Sequence, residues 1–517
     1  MLCTEYWSYV STRAGKDPVR TVILCAPSES AGSLEAVASF ARESGWMDEV
    51  ERDGGVLLAP VVADGWDSAP ADLARELYLQ ARRDLVTPTR TSIPGRAGGL
   101  WAWETLITLV GYQDGATHAA AQMVAHPSFA AAYVLVDGAA PDLAIGNEPS
   151  DHWLVPQASE AYQVLNRQVS VACWLMGSSC SEDLEAHLRA AGGPSWSLRV
   201  SPELTGTDPA LAALAMREFA CHVIRWKNGP DGELAWHQSR QEFYLDGRFE
   251  HRVVELGFNT YHYGLHLPCG MSREDVRGLP LVISIHGRGE PSYLFADKNG
   301  WEALADETGA FMVAVPDSPG NIWSAERDAE VLERLIDDVA DAYGCDRTRV
   351  YATGFSNGGA YTCQQASSRP WLFAAASPWN APSAEAINGS NMGPYFYHPS
   401  FATAGYEMPF FVCTGDSDDK GVTDRMADLD VLLPPNGCAR ENEQVWDGSN
   451  CYTAERGYTQ GERLRTRAFA NAEGSVRVCL TVARDMPHGA IADEARAAWA
   501  FMSRFKRSAG SKRVEEV

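Results

Sequence analysis

The chain is poor in positive charge. Its 517 residues carry 43 Lys and Arg against 68 Asp and Glu, a formal net charge of -25. Nucleic-acid binding depends on clustered cations meeting phosphate, so this balance argues against a nucleic-acid partner and favours a well-solvated acidic surface. No apolar run is long enough to span a bilayer, so no membrane partner is expected. The amino terminus, MLCTEYWSYVSTRAGK, has Glu5 early and no basic start leading into an apolar stretch. It does not read as a signal peptide, and a cytoplasmic location is expected. Paired CxxC spacings are also missing from the 12 cysteines. Cys25, Cys173, Cys413 and Cys479 lie inside apolar runs, where a free thiol behaves as a small hydrophobe. Cys438 and Cys451 flank a polar loop and would pair only in an exported protein.

What is present is length and apolar content beyond the usual limit of one core. With 45% hydrophobic residues over this length, two domains are expected. In the second half, FEHRVVELG and YHYGLHLP alternate apolar and polar residues as half-buried antiparallel strands do. LPLVISIHG, GAFMVAVPD, RVYATGF, FAAASPW, MPFFVCTGD and SVRVCLTVA are short and almost wholly apolar. Helical patterns lie between several of them, such as AERDAEVLERLIDDVADAYG ending at Gly344. Alternating strands and helices predict an α/β fold, a mostly parallel sheet with helices on both faces. Reactive groups in such sheets gather at the carboxyl ends of the strands.

One segment at such an end carries chemistry. Gly354-Phe355-Ser356-Asn357-Gly358 follows the apolar strand RVYATGF and precedes AYTCQQASS, which can start a helix. A sharp strand-to-helix turn crowds the backbone, so flanking glycines tolerate the contact while the serine is pushed into the open. This is the setting of a nucleophile elbow. A serine hydroxyl is weakly nucleophilic at neutral pH, so Ser356 requires a base, an acid to orient it and donors for an oxyanion. His488 follows the last apolar strand, between Pro487 and Gly489. Asp416 and Asp418 both follow MPFFVCTG and compete for the acid role. The His286-Gly287-Arg288-Gly289 loop can aim the Arg288 N–H at an oxyanion, together with that of Asn357. The order Ser, Asp, His is the α/β-hydrolase order. A calcium-loop reading of DSDDKG fails, because Lys420 and Ala427 stand where oxygen ligands would be needed. No metal or cofactor is expected.

From about residue 260 to 505 the chain resembles the esterase family that includes poly(3-hydroxybutyrate) depolymerases and feruloyl esterases. The matching stretches are YHYGLHLP with PLVISIHG, GWEALADETGAFMVAVPD, CDRTRVYATGFSNGGAYT, the TGDSD segment and MPHG. The resemblance implies ester hydrolysis through an acyl-enzyme, with a small-molecule ester as partner and hydroxycinnamoyl or hydroxyalkanoate esters as the candidate substrates. It also favours Asp418 as the acid, because the family's aspartate comes three residues after a glycine in a His-Gly-x-x-Asp segment. Thr414-Gly415-Asp416-Ser417-Asp418 keeps that register with Thr in place of His. Arg288 stands where secreted members often have Cys. Trp379 follows the strand FAAASP and is expected to line a substrate pocket; Trp323 is a weaker candidate. A serine peptidase of the same fold and a non-catalytic binding protein are the rival readings.

The first half repeats the second half's order of signals. RTVILCAP matches PLVISIHG, GGVLLAPVVADGW matches GAFMVAVPDSPGNIW, TLITLVGYQDGATHAAAQM matches RVYATGFSNGGAYTCQQAS, and VSVACWLMGSS matches MPFFVCTGDSD. Gln113 stands at the elbow position, and Pro202 and Glu203 stand where MPHG would fall. An amide cannot attack an acyl group and be regenerated. Residues 1–230 are therefore expected to form a degenerate, non-catalytic hydrolase-like domain and residues 231–517 the catalytic one, with WKNGPDGELAW as linker. Asp114 and His118, one helical turn apart, read as a surface pair, and SAGSKRVEEV as a frayed tail.

Overall fold

The computed structural model describes residues 5–14, 19–85, 102–150, 164–226, 232–236, 249–318, 322–324, 326–381, 405–418, 426–446 and 460–517. The chain divides into two compact units, Met1–Arg240 and Gln241–Val517. The boundary lies beyond residue 230 because β8 (Val223–Trp226) and β9 (Glu233–Trp236) pair antiparallel within the first unit. Trp236 of β9 then packs against Trp196, Phe219 and His222. Residues 227–231 of the expected linker lie outside the described residues. No described helix is long and apolar enough to cross a membrane.

The second unit holds a ten-stranded sheet. Its strands are β10 (Glu250–Leu256), β11 (Asn259–His266), β12 (Leu281–Ile285), β13 (Met312–Pro316), β14 (Val350–Phe355), β15 (Ala375–Trp379), β16 (Phe410–Gly415), β17 (Cys438–Val445), β18 (Leu464–Asn471) and β19 (Val476–Ala483). They lie in the order β10-β11-β13-β12-β14-β15-β16-β19-β18-β17. From β13 to β19 all neighbours are parallel, and β12 to β16 are buried throughout, which is why their sequences are apolar without alternation. The β10–β11 ribbon is antiparallel, and β10 alternates in exposure. Strands β17 and β18 extend the far edge antiparallel; their polar, weakly periodic sequences do not announce them. The expected tail is not frayed. Glu515–Glu516 pairs antiparallel with Phe505–Lys506, and Val514 is buried. The AERDAEVLERLIDDVADAYG helix begins at Val331 and ends at Tyr343, capped by left-handed Gly344.

The first unit repeats this plan. Its strands are β1 (Tyr6–Val10), β2 (Val19–Cys25), β3 (Val56–Pro60), β4 (Ala102–Tyr112), β5 (Ala132–Val136), β6 (Ala172–Met176) and β7 (Leu198–Ser201), in the order β1-β3-β2-β4-β5-β6-β7. Matching β1 to β11 and β7 to β19 superposes the two strand orders without a break, and β1 is antiparallel as β11 is. In both units, the strand order reverses around the first apolar strand, β2 or β12. Its carboxyl end and that of the next strand but one form a crevice where ligands bind in open α/β sheets.

The match extends to backbone angles. Gln113, between β4 and the helix Asp114–Ala125, has φ 53 and ψ -121; Ser356, between β14 and the helix Asn357–Ser368, has φ 55 and ψ -115. The Gln113 N–H donates to Val136 O at 2.8 Å, and that of Ser356 to Trp379 O at 2.9 Å. Cβ atoms on Gly115 or Gly358 would run into the carbonyls of Cys25 and Ala26 or of Ile285 and His286. Non-glycine residues at such angles cost on the order of 1–3 kcal/mol, more than the entropy glycine loses on folding. Gln113→Gly should therefore stabilise the protein by about 1 kcal/mol, read as a higher thermal midpoint of the first unit's transition. An unchanged or lower midpoint would show that the turn is not strained.

Candidate active site

Ser356 is the half-buried tip of the β14 turn. It stands at the tip because the turn around it is too tight for side chains at the flanking glycines. A Cβ on Gly354 would strike Gly358 O and the Thr362 hydroxyl, and one on Gly359 would meet Trp379 O. Asn357 opens the following helix, so its N–H belongs to the first turn, where backbone donors have no intrahelical acceptor.

The loops after β16 and β19 are zipped together. Asp416 N–H donates to Ala483 O and Ser417 N–H to Met486 O, both at 3.0 Å. Gly415 permits the approach, since a Cβ there would collide with Met486 O. The result brings Asp418 to His488: Nδ1 of the imidazole lies 2.8 Å from Asp418 Oδ2. The Asp418 carboxylate is buried, and it also accepts from Asn380 Nδ2 at 3.1 Å. Asn380 holds φ 48 at the end of β15 and donates to Pro487 O at 3.4 Å, so it braces both loops. Asp416 is exposed and accepts from the Ser417 hydroxyl instead. The rest of DSDDKG, residues 419–421, lies outside the described residues, as does Cys451. His488 is half-buried, and its ring packs against Phe355, the residue before Ser356, at 4.8 Å between centroids.

The loop after β12 is held from several sides. His286 Nδ1 contacts Gly287 O at 2.7 Å, and its Nε2 accepts from Ser318 N–H at 3.2 Å, so the proton is on Nδ1. Trp323 is buried and acts as a clamp. Its indole donates to His286 O at 3.1 Å, its backbone N–H to Asn357 Oδ1 at 2.7 Å, and its ring stacks on Tyr361. Arg288 sits exposed at the tip. Trp379 departs from expectation. Its ring is wholly buried, donates to Ser377 Oγ and packs edge-on against Phe295, which removes it from the candidate substrate-contacting side chains. Apolar neighbours win because β15 is a central strand, where either face of the sheet is covered.

Chemically, a carboxylate facing Nδ1 holds the imidazole proton there and leaves Nε2 as the basic nitrogen. That nitrogen, a serine on a strained turn and N–H groups at a helix start and loop tip are the parts that acyl transfer requires. Asn380 was not assigned a role from sequence; its place directly after an apolar strand end, beside Trp379, is the signal that could have found it.

In the first unit, the same positions are filled differently. Trp66 donates its indole N–H to Ala26 O at 2.8 Å, as Trp323 does to His286 O. His118 does not pair with Asp114; its ring packs on Trp66 at 4.9 Å. The Asp114 carboxylate instead accepts from the Ser28 N–H at 2.9 Å and from the Ser28 hydroxyl. By strand register, Ser28 corresponds to Arg288 and Asp114 to Asn357. Asp137, the counterpart of Asn380 with φ 58, accepts from Ser178 N–H and Gly206 N–H.

The helix Ala492–Met502 follows His488, and buried Glu494 accepts the Ile491 N–H at its start. Burial pushes the Glu494 carboxyl up to about 7, and Arg463 and Lys298 only partly oppose this. A carboxyl raised on folding contributes stability present below its unfolded pKa and lost as pH rises through the folded value. Between pH 4.5 and 7 the native protein should thus lose stability relative to Glu494→Gln, whose amide can still accept from Ile491. Denaturant titrations of both proteins at pH 5 and pH 8 check this; parallel stabilities at the two pH values would contradict it.

No family model matches the chain. A stretch of 127 residues, 22% of the chain, is 29% identical to poly(3-hydroxyalkanoate) depolymerase C of Paucimonas lemoignei, covering 29% of that protein. Another of 106 residues, 20% of the chain, is 31% identical to the bifunctional acetylxylan esterase/xylanase of Neocallimastix patriciarum, covering 16% of it. The chain thus spans less than a third of the length of either relative. An acetyl xylan esterase structure from Aspergillus awamori aligns over 49% of this chain and 99% of its own, at 16% identity and a TM-score of 0.33. These sequence matches are to a depolymerase and an esterase, and the chain's own strand order is that of a mostly parallel α/β sheet.

Proposed function

We propose that the second unit is a serine carboxylesterase working through an acyl-enzyme, and the observation that carries this is the buried Asp418 carboxylate 2.8 Å from His488 Nδ1 beside the strained Ser356 turn. Ser356 Oγ attacks the ester carbonyl as His488 Nε2 takes its proton. The C–O bond to the alcohol then breaks, with the proton passing to the leaving oxygen. Water repeats the sequence on the acyl-enzyme, releasing the acid and restoring Ser356. Asp418 keeps the imidazole in the working tautomer, and the N–H groups of Arg288 and Asn357 receive the negative oxygen. Two relatives that carry ester-cleaving names support small hydroxyalkanoate or acetyl esters as substrates. Buried thiols at Cys25, Cys173, Cys413 and Cys479 support the cytoplasmic placement.

Ser356→Ala should lower turnover of a p-nitrophenyl ester by about 10^4-fold or more with the fold intact. Asp418→Asn should lose far more turnover than Asp416→Asn, because only the former faces the imidazole. Folded Ser356→Ala retaining most of its activity would sink the reading, and faster cleavage of a matched blocked peptide amide than of the ester would make the protein a peptidase.

We infer further that the first unit is a degenerate, non-catalytic hydrolase-like domain. Gln113 occupies the nucleophile's position, and the donor at Ser28 is already bound to Asp114. Gln113→Ala should leave ester turnover within about twofold, since it removes no transition-state contact. A large loss at unchanged stability would reveal a second functional site.

A further inference from the structure

A buried ion pair stands behind the loop that follows β12. Glu290 and Lys298 are each more than nine-tenths buried, with Oε1 and Nζ 2.8 Å apart. Burying two charges is costly unless each is paired and hydrogen-bonded, so the pair is expected to have a local task. Three contacts define it. The other Glu290 oxygen, Oε2, accepts the Gly287 N–H at 2.7 Å. The Glu290 N–H donates to Gly287 O at 3.2 Å, and that same carbonyl receives His286 Nδ1 at 2.7 Å. Lys298 Nζ lies 3.3 Å from the ring centroid of Phe355, whose ring also packs on His488.

The geometry has a directional consequence. In a trans peptide the C=O and the N–H of one plane point opposite ways. Gly287 C=O and Arg288 N–H share a plane, so two donors fixed on the carbonyl point the Arg288 N–H away from Glu290 and hold it there. The carboxylate locks the preceding N–H of the same loop. Lys298 meanwhile presses its charge onto the face of Phe355, an attraction that is stronger when desolvated. One ion pair thereby holds the N–H of the residue next to the loop donor, the ring of the residue before Ser356 and, through Phe355, the imidazole.

We propose that Glu290 and Lys298 are positioning residues that preorganise the oxyanion-binding N–H of Arg288 against Ser356 and His488. This rests on the acyl-enzyme reading of the site. Its signature is selective: an N–H aimed at the transition-state oxygen contributes to turnover and to tetrahedral-mimic binding, with little effect on substrate binding.

The test compares the parent, Lys298→Met and the double variant Glu290→Gln with Lys298→Met, in the full chain, by ester kinetics and by the affinity of an alkyl boronic acid. Losing one oxyanion donor outright costs about 10^2–10^3 in turnover, so displacing one should cost roughly 10–100-fold in kcat. KM should stay within about threefold and boronate affinity should fall in step with kcat. If Lys298→Met does not fold, the double variant, which leaves no unpaired buried charge, is held to the same expectation. A folded variant with kcat and boronate affinity within twofold of the parent overturns the proposal, as does a loss confined to KM. Ser356→Ala in the same assay separates the two ideas. If it stays active, the acyl-enzyme reading fails. If it is inactive while the ion-pair variants match the parent, only the positioning role fails.

Discussion

The site depends on one steric constraint, the approach of the helix Asn357–Ser368 to the end of β12. Only a hydrogen atom at position 358 lets the turn pass the carbonyls of Ile285 and His286, and only one at 354 leaves room for Gly358 O and the Thr362 hydroxyl. That approach forces residue 356 to φ 55 and lifts its side chain out of the packed strands. The bond from Ser356 N–H to Trp379 O and the Trp323 clamp on His286 O and Asn357 then hold the strained turn in place. Strain of this size persists only when the surroundings over-determine it, and here central strands buried throughout do so.

The same economy of backbone contacts builds the other side of the site. Asp418 and His488 are 70 residues apart in sequence, on loops with no regular structure. They meet because β16 and β19 are parallel neighbours whose ends are tied by two backbone hydrogen bonds across a glycine. Asn380, from the next strand end, donates to the carboxylate and to the loop of the imidazole. A buried carboxylate fixed by more than one donor holds its orientation, which is the role the proposed mechanism asks of it.

The first unit shows that the turn and the chemistry are separable. Its elbow keeps the angles, the glycine contacts and the tryptophan clamp, yet carries Gln113 and spends its loop donor on Asp114. The turn is thus a property of strand and helix packing, indifferent to which side chain sits at its tip. The packing that imposes the strain is also the packing that holds the sheet, so the strain does not depend on the side chain at the tip.

Sequence alone determined what local chemistry controls: the parallel strands, through apolar runs without alternation; the elbow, through glycines at fixed spacing; and the internal repeat, through the shared order of those signals. It also brought Ser356, Asp418 and His488 forward, the aspartate through a family resemblance. Tertiary structure decided whatever depends on partners distant in the chain. Strands β17 and β18 form because an edge accepts them, the tail pairs with Phe505–Lys506, and Trp379 is drawn into the aromatic core. It set Asp418 rather than Asp416 against His488, and it joined Glu290 to Lys298 behind the loop. Those outcomes rest on hydrogen bonds and burial that the folded chain brings together, from eight residues apart for Glu290 and Lys298 to 70 for Asp418 and His488, and no local pattern of side chains encodes them.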